Sequence, residues 1–230
     1  MELGRPRIRK TILSRRPREN SVLLALAAVM GMLFVSMLCW KEGREMQLRL
    51  AAVSERVFVE GEYWRLTTAL LVHADMRHFL SNSILFVLFA YLLFGYYGFW
   101  IFPVAGFLLG SVVNYLALLT YQPQNISLVG ASGMVYLMVG FWLTMYMLVE
   151  RRLSVKRRIL HGLGVGLIVL MPTAFDHAVS YRSHFLGVVV GIAFALLYFH
   201  VRKDWIRSAE EVDFSEVWQD AEVDSGDYVS

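Results

Sequence analysis

The sequence predicts an all-α membrane protein with six transmembrane helices. Three observations lead there. Hydrophobic residues make up 57% of the chain and charged residues 18%, with a mean hydropathy of +0.51; soluble domains run at roughly 45–50% and about 25%. The charges are gathered in blocks, and the apolar runs between them are about 20 residues long, enough to cross about 30 Å of hydrocarbon. The strongly basic blocks fall on alternate connections, as the positive-inside rule requires of a chain that weaves through a bilayer.

Residues 1–20 hold seven Arg or Lys against two Glu and are broken by Pro6 and Pro17. They read as a disordered cytoplasmic tail suited to an anionic membrane surface. The first span runs from Ser21 to Trp40; it is longer than a signal-peptide core and no small-residue cleavage site closes it. Residues 41–77 form a long loop of mixed polarity, with amphipathic pieces at Met46–Val57 and Tyr63–Val72 that suit the interface. Spans two and three cover about His78–Tyr97 and Phe99–Thr120. The fourth, Ser127–Val149, carries Gly130-Ala131-Ser132-Gly133 near its start. A basic loop, Glu150–Arg158, leads to a fifth span at about Ile159–Phe175 and a sixth at about His184–Val201. The core is therefore expected over residues 21–201, and residues 202–230 as a cytoplasmic tail that begins basic and becomes acidic and disordered.

Six spans put both termini on one side, and the basic tail, the Glu150–Arg158 loop and the start of the last segment all fall there. That side is expected to be the cytoplasm. The net charge of +3 averages a basic beginning with an end, Ala209–Ser230, that holds eight acidic residues and no basic one. No aromatic interleaving or folded basic module accompanies the cations, which argues against nucleic acid as a partner. The lone Cys39 cannot form an intramolecular disulfide and reads as a packing residue.

Polar groups inside spans are costly and therefore informative. His73 is followed by His78 and Asn82, the latter two one helical turn apart. Ser132 and Tyr136 share the same spacing, and His184 opens the sixth span ahead of Gly187 and Gly191. Taken singly, Ser132 between small residues reads as a packing device, the two glycines as a close-packing stripe, and Asn82 as a bond between helices. His161 and His200 read as interfacial residues. A metal site from His73, His78 and His184 is set aside, because no carboxylate or cysteine joins them at ligand spacing. Together, however, they fall at one depth, near the non-cytoplasmic ends of their spans. Serine hydrolysis needs a nucleophile, a base and donors for an oxyanion, and this set contains all three.

The combination Trp64-Arg65, His73-x4-His78-x3-Asn82, Gly130-x-Ser132-Gly133-x2-Tyr136 and His184-x2-Gly187-x3-Gly191 resembles the rhomboid intramembrane serine proteases, over about residues 60–195. The resemblance implies a rhomboid-like bundle with a membrane-embedded first loop. It implies Ser132 as nucleophile and His184 as general base, in a dyad without an aspartate and without a cofactor or metal. His78, Asn82 and the Ser132 amide would line the oxyanion hole. Tyr136 would pack under the His184 ring, Trp64 and Arg65 would anchor the first loop, His73 would brace it, and Gly130, Gly133, Gly187 and Gly191 would give structural support. Substrates would be single-span transmembrane proteins, cleaved at small residues near the outer leaflet. Two departures stand out. The connection Gly95-Tyr96-Tyr97-Gly98 lacks the acidic and Gly-Ser elements common in the family, and Val129 stands where a glycine is frequent.

The expectation is thus an intramembrane serine endopeptidase in a bacterial plasma membrane, whose partners are transmembrane substrates and the lipid bilayer. Two alternatives stay open: a non-catalytic rhomboid-like protein that binds transmembrane clients, and a small multispanning transporter or metal-handling protein.

Overall fold

A computed structural model describes residues 7–170 and 181–214 of the 230. Five of its helices are long and apolar enough to cross a membrane. These are α1 (Ser21–Glu42), α5 (Met76–Tyr97), a third that runs Trp100–Tyr121, α7 (Ser132–Val149) and α9 (Tyr181–Arg207). The third opens with a wide turn at Trp100–Ala105, where Pro103 supplies no N–H and Phe102 is extended, before regular helix α6 (Gly106–Tyr121). The helix at the expected fifth span is described as α8 (Val155–Leu170); the rest of that expectation, to Phe175, lies outside the described residues.

The long first loop folds rather than wandering. It holds α2 (Arg44–Leu50), strand β2 (Ala52–Val53) and the single turns α3 (Ser54–Phe58) and α4 (Arg65–Thr68). Strand β2 pairs antiparallel with β3 (Ser127–Leu128), Ala52 opposite Leu128. This corrects the start of the fourth span: Ser127 and Leu128 are extended, and the helix begins only at Ser132. The reason is local. Gly130 has φ +106°, a conformation that ends any attempt to carry helix through it.

Large apolar side chains cover the outside of the bundle. Leu23, Met30, Phe34, Ile84, Trp100, Phe185 and Leu197 are all exposed. A surface of that kind is stable against lipid and not against water. The inside is built around α7, which contributes Met134 through Phe141 to the buried core without a break. It packs most closely on α9, and glycines set the distance. A Cβ on Gly187 would lie 2.4 Å from the Gly133 carbonyl oxygen, one on Gly191 would lie 2.2 Å from the Leu137 carbonyl oxygen, and one on Gly140 would lie 2.5 Å from that of Val188. Backbone meets backbone there, and no side chain fits.

Of the two expected tails, residues 7–20 and 202–214 are described and the rest lies outside the described residues. Strand β1 (Arg7–Lys10) pairs antiparallel with β4 (Glu211–Asp213), and Arg9 and Lys10 form ion pairs with Asp213 and Glu211. Ile12 is buried in the main core. Opposite charges on the two tails and one buried apolar anchor order what composition alone leaves open. Pro17 packs on Gly95, the Arg18 N–H donates to the Gly95 carbonyl at 3.1 Å, and its guanidinium lies beside Gly98 and over the Phe94 ring. The bracing that the Gly95–Gly98 connection lacks in its own sequence is supplied by the N-terminal segment.

Candidate active site

The site sits where α5, α7 and α9 meet the folded first loop. Arg65 organises that loop. It is almost fully buried; its Nε bonds the Glu62 carboxylate at 2.5 Å and its Nη1 donates to the carbonyls of Leu48, at 3.0 Å, and of Arg49. These are carbonyls at the end of α2, left over by the helix, and a cation suits them. Trp64 stacks on the guanidinium 4.6 Å away and is otherwise half-exposed. Thr68 Oγ1 donates to the Leu50 carbonyl and Asn114 Nδ2 to that of Leu66, so the loop is tied both to itself and to α6.

The serine loop is strapped down at three points: the β2–β3 pair, the Gly130 N–H to the Ala69 carbonyl at 2.9 Å, and the Ala131 N–H to His73 Nε2 at 3.4 Å. His73 is buried, and its bonds define its tautomer. Ser36 Oγ donates to the Leu71 carbonyl and so receives both the His73 N–H and its Nδ1–H, at 3.1 and 3.2 Å. That leaves Nε2 with the lone pair which Ala131 addresses. Trp40 closes the set by donating to the His73 carbonyl at 2.8 Å. Burial, and then the neighbouring His78, hold the His73 imidazole down at about 3, so it is neutral at pH 7.

His78 and Asn82 face the same loop. Asp75 caps α5 by accepting from the His78 N–H at 2.8 Å, which fixes the first turn. A Cβ on Gly130 would lie 2.7 Å from His78 Cε1, 2.9 Å from His78 Nε2 and 3.7 Å from Asn82 Nδ2. The approach is possible only because residue 130 has no side chain. Asn82 Nδ2 uses one proton on its own helix, at the His78 carbonyl 3.1 Å away.

Ser132 is the first residue of α7 and is half-buried. One turn on, Tyr136 stacks face to face with His184, the ring centres 4.0 Å apart and the planes 15° apart. The Tyr136 hydroxyl donates to the Val169 carbonyl on α8. His184 is buried, and its Nε2 has no hydrogen-bond partner among the described residues. A buried imidazole nitrogen without a partner is costly, and such a group asks for an explanation.

The predicted residues therefore converge: His73, His78, Asn82, Gly130, Ser132, Gly133, Tyr136, His184, Gly187 and Gly191 lie in one region, while Trp64 and Arg65 stand behind it in the loop. Two participants carried little signal in the sequence: Ser36 is a lone hydroxyl in an apolar span, and Trp40 ends the expected first span, where a tryptophan is ordinary. Among the described residues no group of His, Cys, Asp and Glu is arranged to hold a metal ion.

A membrane-embedded helical bundle with a folded first loop and a serine at the head of a central helix defines a class of protein. The family model for the Rhomboid domain matches residues 60–201, well over half of the chain, and the chain belongs to the rhomboid family. It is similar to the protein named "Putative rhomboid protease YdcA" of Bacillus subtilis (strain 168). The two are 26% identical over 140 residues, which span 60% of this chain and 68% of that one.

Proposed function

We propose that this protein is an intramembrane serine endopeptidase that cleaves transmembrane segments with a Ser132–His184 dyad. The observation that carries the proposal is the His184 ring, stacked on Tyr136 with a buried Nε2 that has no partner among the described residues, on a helix held against the one that begins with Ser132. Ser132 Oγ attacks the scissile carbonyl carbon and its proton passes to His184 Nε2. No Ser132–His184 hydrogen bond stands among the described residues, and catalytic bonds of this kind are often long or unformed until substrate binds. The oxyanion accepts from the Ser132 N–H, which the helix leaves unpaired, and from His78 and the second amide proton of Asn82. The intermediate collapses, the leaving amine takes the proton from His184, and water hydrolyses the acyl-enzyme by the same route.

An intact substrate helix hides its carbonyls in internal hydrogen bonds. The substrate must therefore unwind before it reaches Ser132, and small residues at the cleaved position suit the narrow approach at Gly130. Positive charge on the connections at the far end supports cytoplasmic termini and a site near the opposite, outer leaflet. The test is cleavage of a single-span reporter by full-length protein in liposomes. Ser132→Ala and His184→Ala should each abolish cleavage while keeping the wild-type thermal midpoint. Full cleavage by either variant contradicts the dyad and favours a client-binding role.

A further inference from the structure

Ser36 lies in the C-terminal half of α1 and is fully buried. Its hydroxyl is spent on the stretch Leu71–His73 of the first loop. Oγ donates to the Leu71 carbonyl at 3.2 Å, receives the His73 N–H at 3.1 Å, and meets His73 Nδ1 at 3.2 Å. A hydroxyl has one proton and two lone pairs, so these three bonds use all of it. With its proton at Leu71, Ser36 can only accept from the ring, and the ring proton belongs on Nδ1.

The other side of the same ring faces the serine loop, where Nε2 accepts from the Ala131 N–H at 3.4 Å. A neutral imidazole carries one N–H and one lone pair. A proton on Nε2 would set donor against donor at Ala131. The choice that Ser36 makes at Nδ1 is therefore read at Ala131, the residue joined to Ser132. Ala131 is fully buried, with its N–H on His73 and its carbonyl accepting from the Val135 N–H at 2.9 Å. In a trans peptide the Ser132 N–H points opposite to the Ala131 carbonyl. The place of Ala131 thus sets where the Ser132 amide and side chain begin. The β2–β3 pair and the bond from Gly130 to Ala69 act on residues before Ala131, so they keep the loop folded while His73 adjusts its last residue.

We infer that Ser36 is a positioning residue for the oxyanion-binding amide of Ser132, acting through the tautomer of His73. The inference rests on the proposed dyad. Without the hydroxyl, the Nδ1–H and the N–H of His73 are buried with their acceptor removed, which is costly. The ring lessens that cost by turning or by moving its proton to Nε2, and either change takes the lone pair from Ala131. Loss of an oxyanion donor outright lowers a rate by about a hundredfold to a thousandfold, so a donor displaced but still present should cost about tenfold.

The experiment joins two readouts on full-length protein in lipid nanodiscs at pH 7. One is nitrogen-15 NMR of histidine-labelled protein, with the His73 signals assigned through His73→Gln. The other is the rate of labelling by a fluorophosphonate over a range of probe concentration, with thermal midpoints in parallel. In the wild type, His73 should carry its proton on Nδ1; a proton on Nε2 overturns the inference whatever the variants do. For Ser36→Ala the single tautomer should be lost and the limiting rate should fall about tenfold, with the half-saturating concentration unchanged. Ser36→Thr keeps the hydroxyl and should restore both the tautomer and most of the rate. If Ser36→Ala does not fold, Ser36→Cys takes its place, since a thiol keeps the shape and is a weaker acceptor. A wild-type limiting rate in the variant without the hydroxyl overturns the inference. So does a Ser36→Thr protein that keeps the Nδ1 proton and is as slow as that variant, because the tautomer would then not govern the rate. Wild-type protein that takes no label overturns the dyad itself, and the role of Ser36 in catalysis with it.

Discussion

At the scale of single residues, the serine loop depends on two unusual positions. Gly130 combines φ +106° with a face that a methyl group would press to 2.7 Å from the His78 ring. Gly130→Ala should lower stability by about 1–3 kcal/mol, through backbone strain and displacement of the ring. Thermal unfolding in detergent checks the first effect and fluorophosphonate labelling the second. His73 gives a pH signature. Its folded value of about 3 lies below its ordinary 6.5, so the unfolded chain binds the proton more readily. The stability it contributes is whole above pH 6.5 and is lost as pH falls from 6.5 towards 3. Protonation at Nε2 would also remove the acceptor that Ala131 uses. The thermal midpoint should fall on acidification through this window, and His73→Gln, though less stable throughout, should fall less steeply. Equal slopes would rule His73 out as the cause.

At the scale of elements, the fold was most legible where period and length decide. Runs of 20 apolar residues can hardly be anything but spans, and the glycine spacing on α9 announced a close partner. What stayed hidden depended on contacts between distant segments. Gly140 carried no signal, because its use appears only when Val188 arrives from another helix. The fourth span was begun too early, since composition does not reveal that Ser127 and Leu128 pair with β2. The set of His78, Asn82, Ser132 and His184 was legible because polar and ionisable groups are costly in lipid. The two classes of glycine make a clean comparison. Gly187→Ala drives a methyl to 2.4 Å from a carbonyl oxygen, whereas Gly164 on α8 has nothing within 4 Å of the same position. The first change should cost about 1–3 kcal/mol and the second less than about 0.5 kcal/mol. Unfolding midpoints of the two variants in one detergent check the contrast.

At the scale of the whole molecule, the end remote from the serine is fastened by charge. Glu210 receives Arg151 from the connection before α8 at 2.9 Å and Arg207 from α9 at 3.3 Å. Next to it, β4 holds β1 through Asp213 and Glu211. The Glu210 carboxylate is largely buried and its arginines are open to solvent, whereas the Lys10–Glu211 pair is exposed on both sides and contributes at most about 1 kcal/mol; all of them weaken with salt. Glu210→Ala should speed tryptic cleavage after Arg15, and high salt should do the same to wild type. Unaltered cleavage would mean that Ile12 and Pro17 hold the N-terminal segment unaided. This end is separated from the candidate site by the length of α7, so the fastening should not change the labelling of Ser132.

The central claim is that Ser132 is a nucleophile activated by His184. The most direct measurement is mass spectrometry of the wild-type protein and of His184→Ala after exposure to a fluorophosphonate. The account predicts one phosphonyl adduct, on Ser132, in wild type and its loss in His184→Ala. An adduct on another residue, or equal modification of Ser132 without His184, would contradict it.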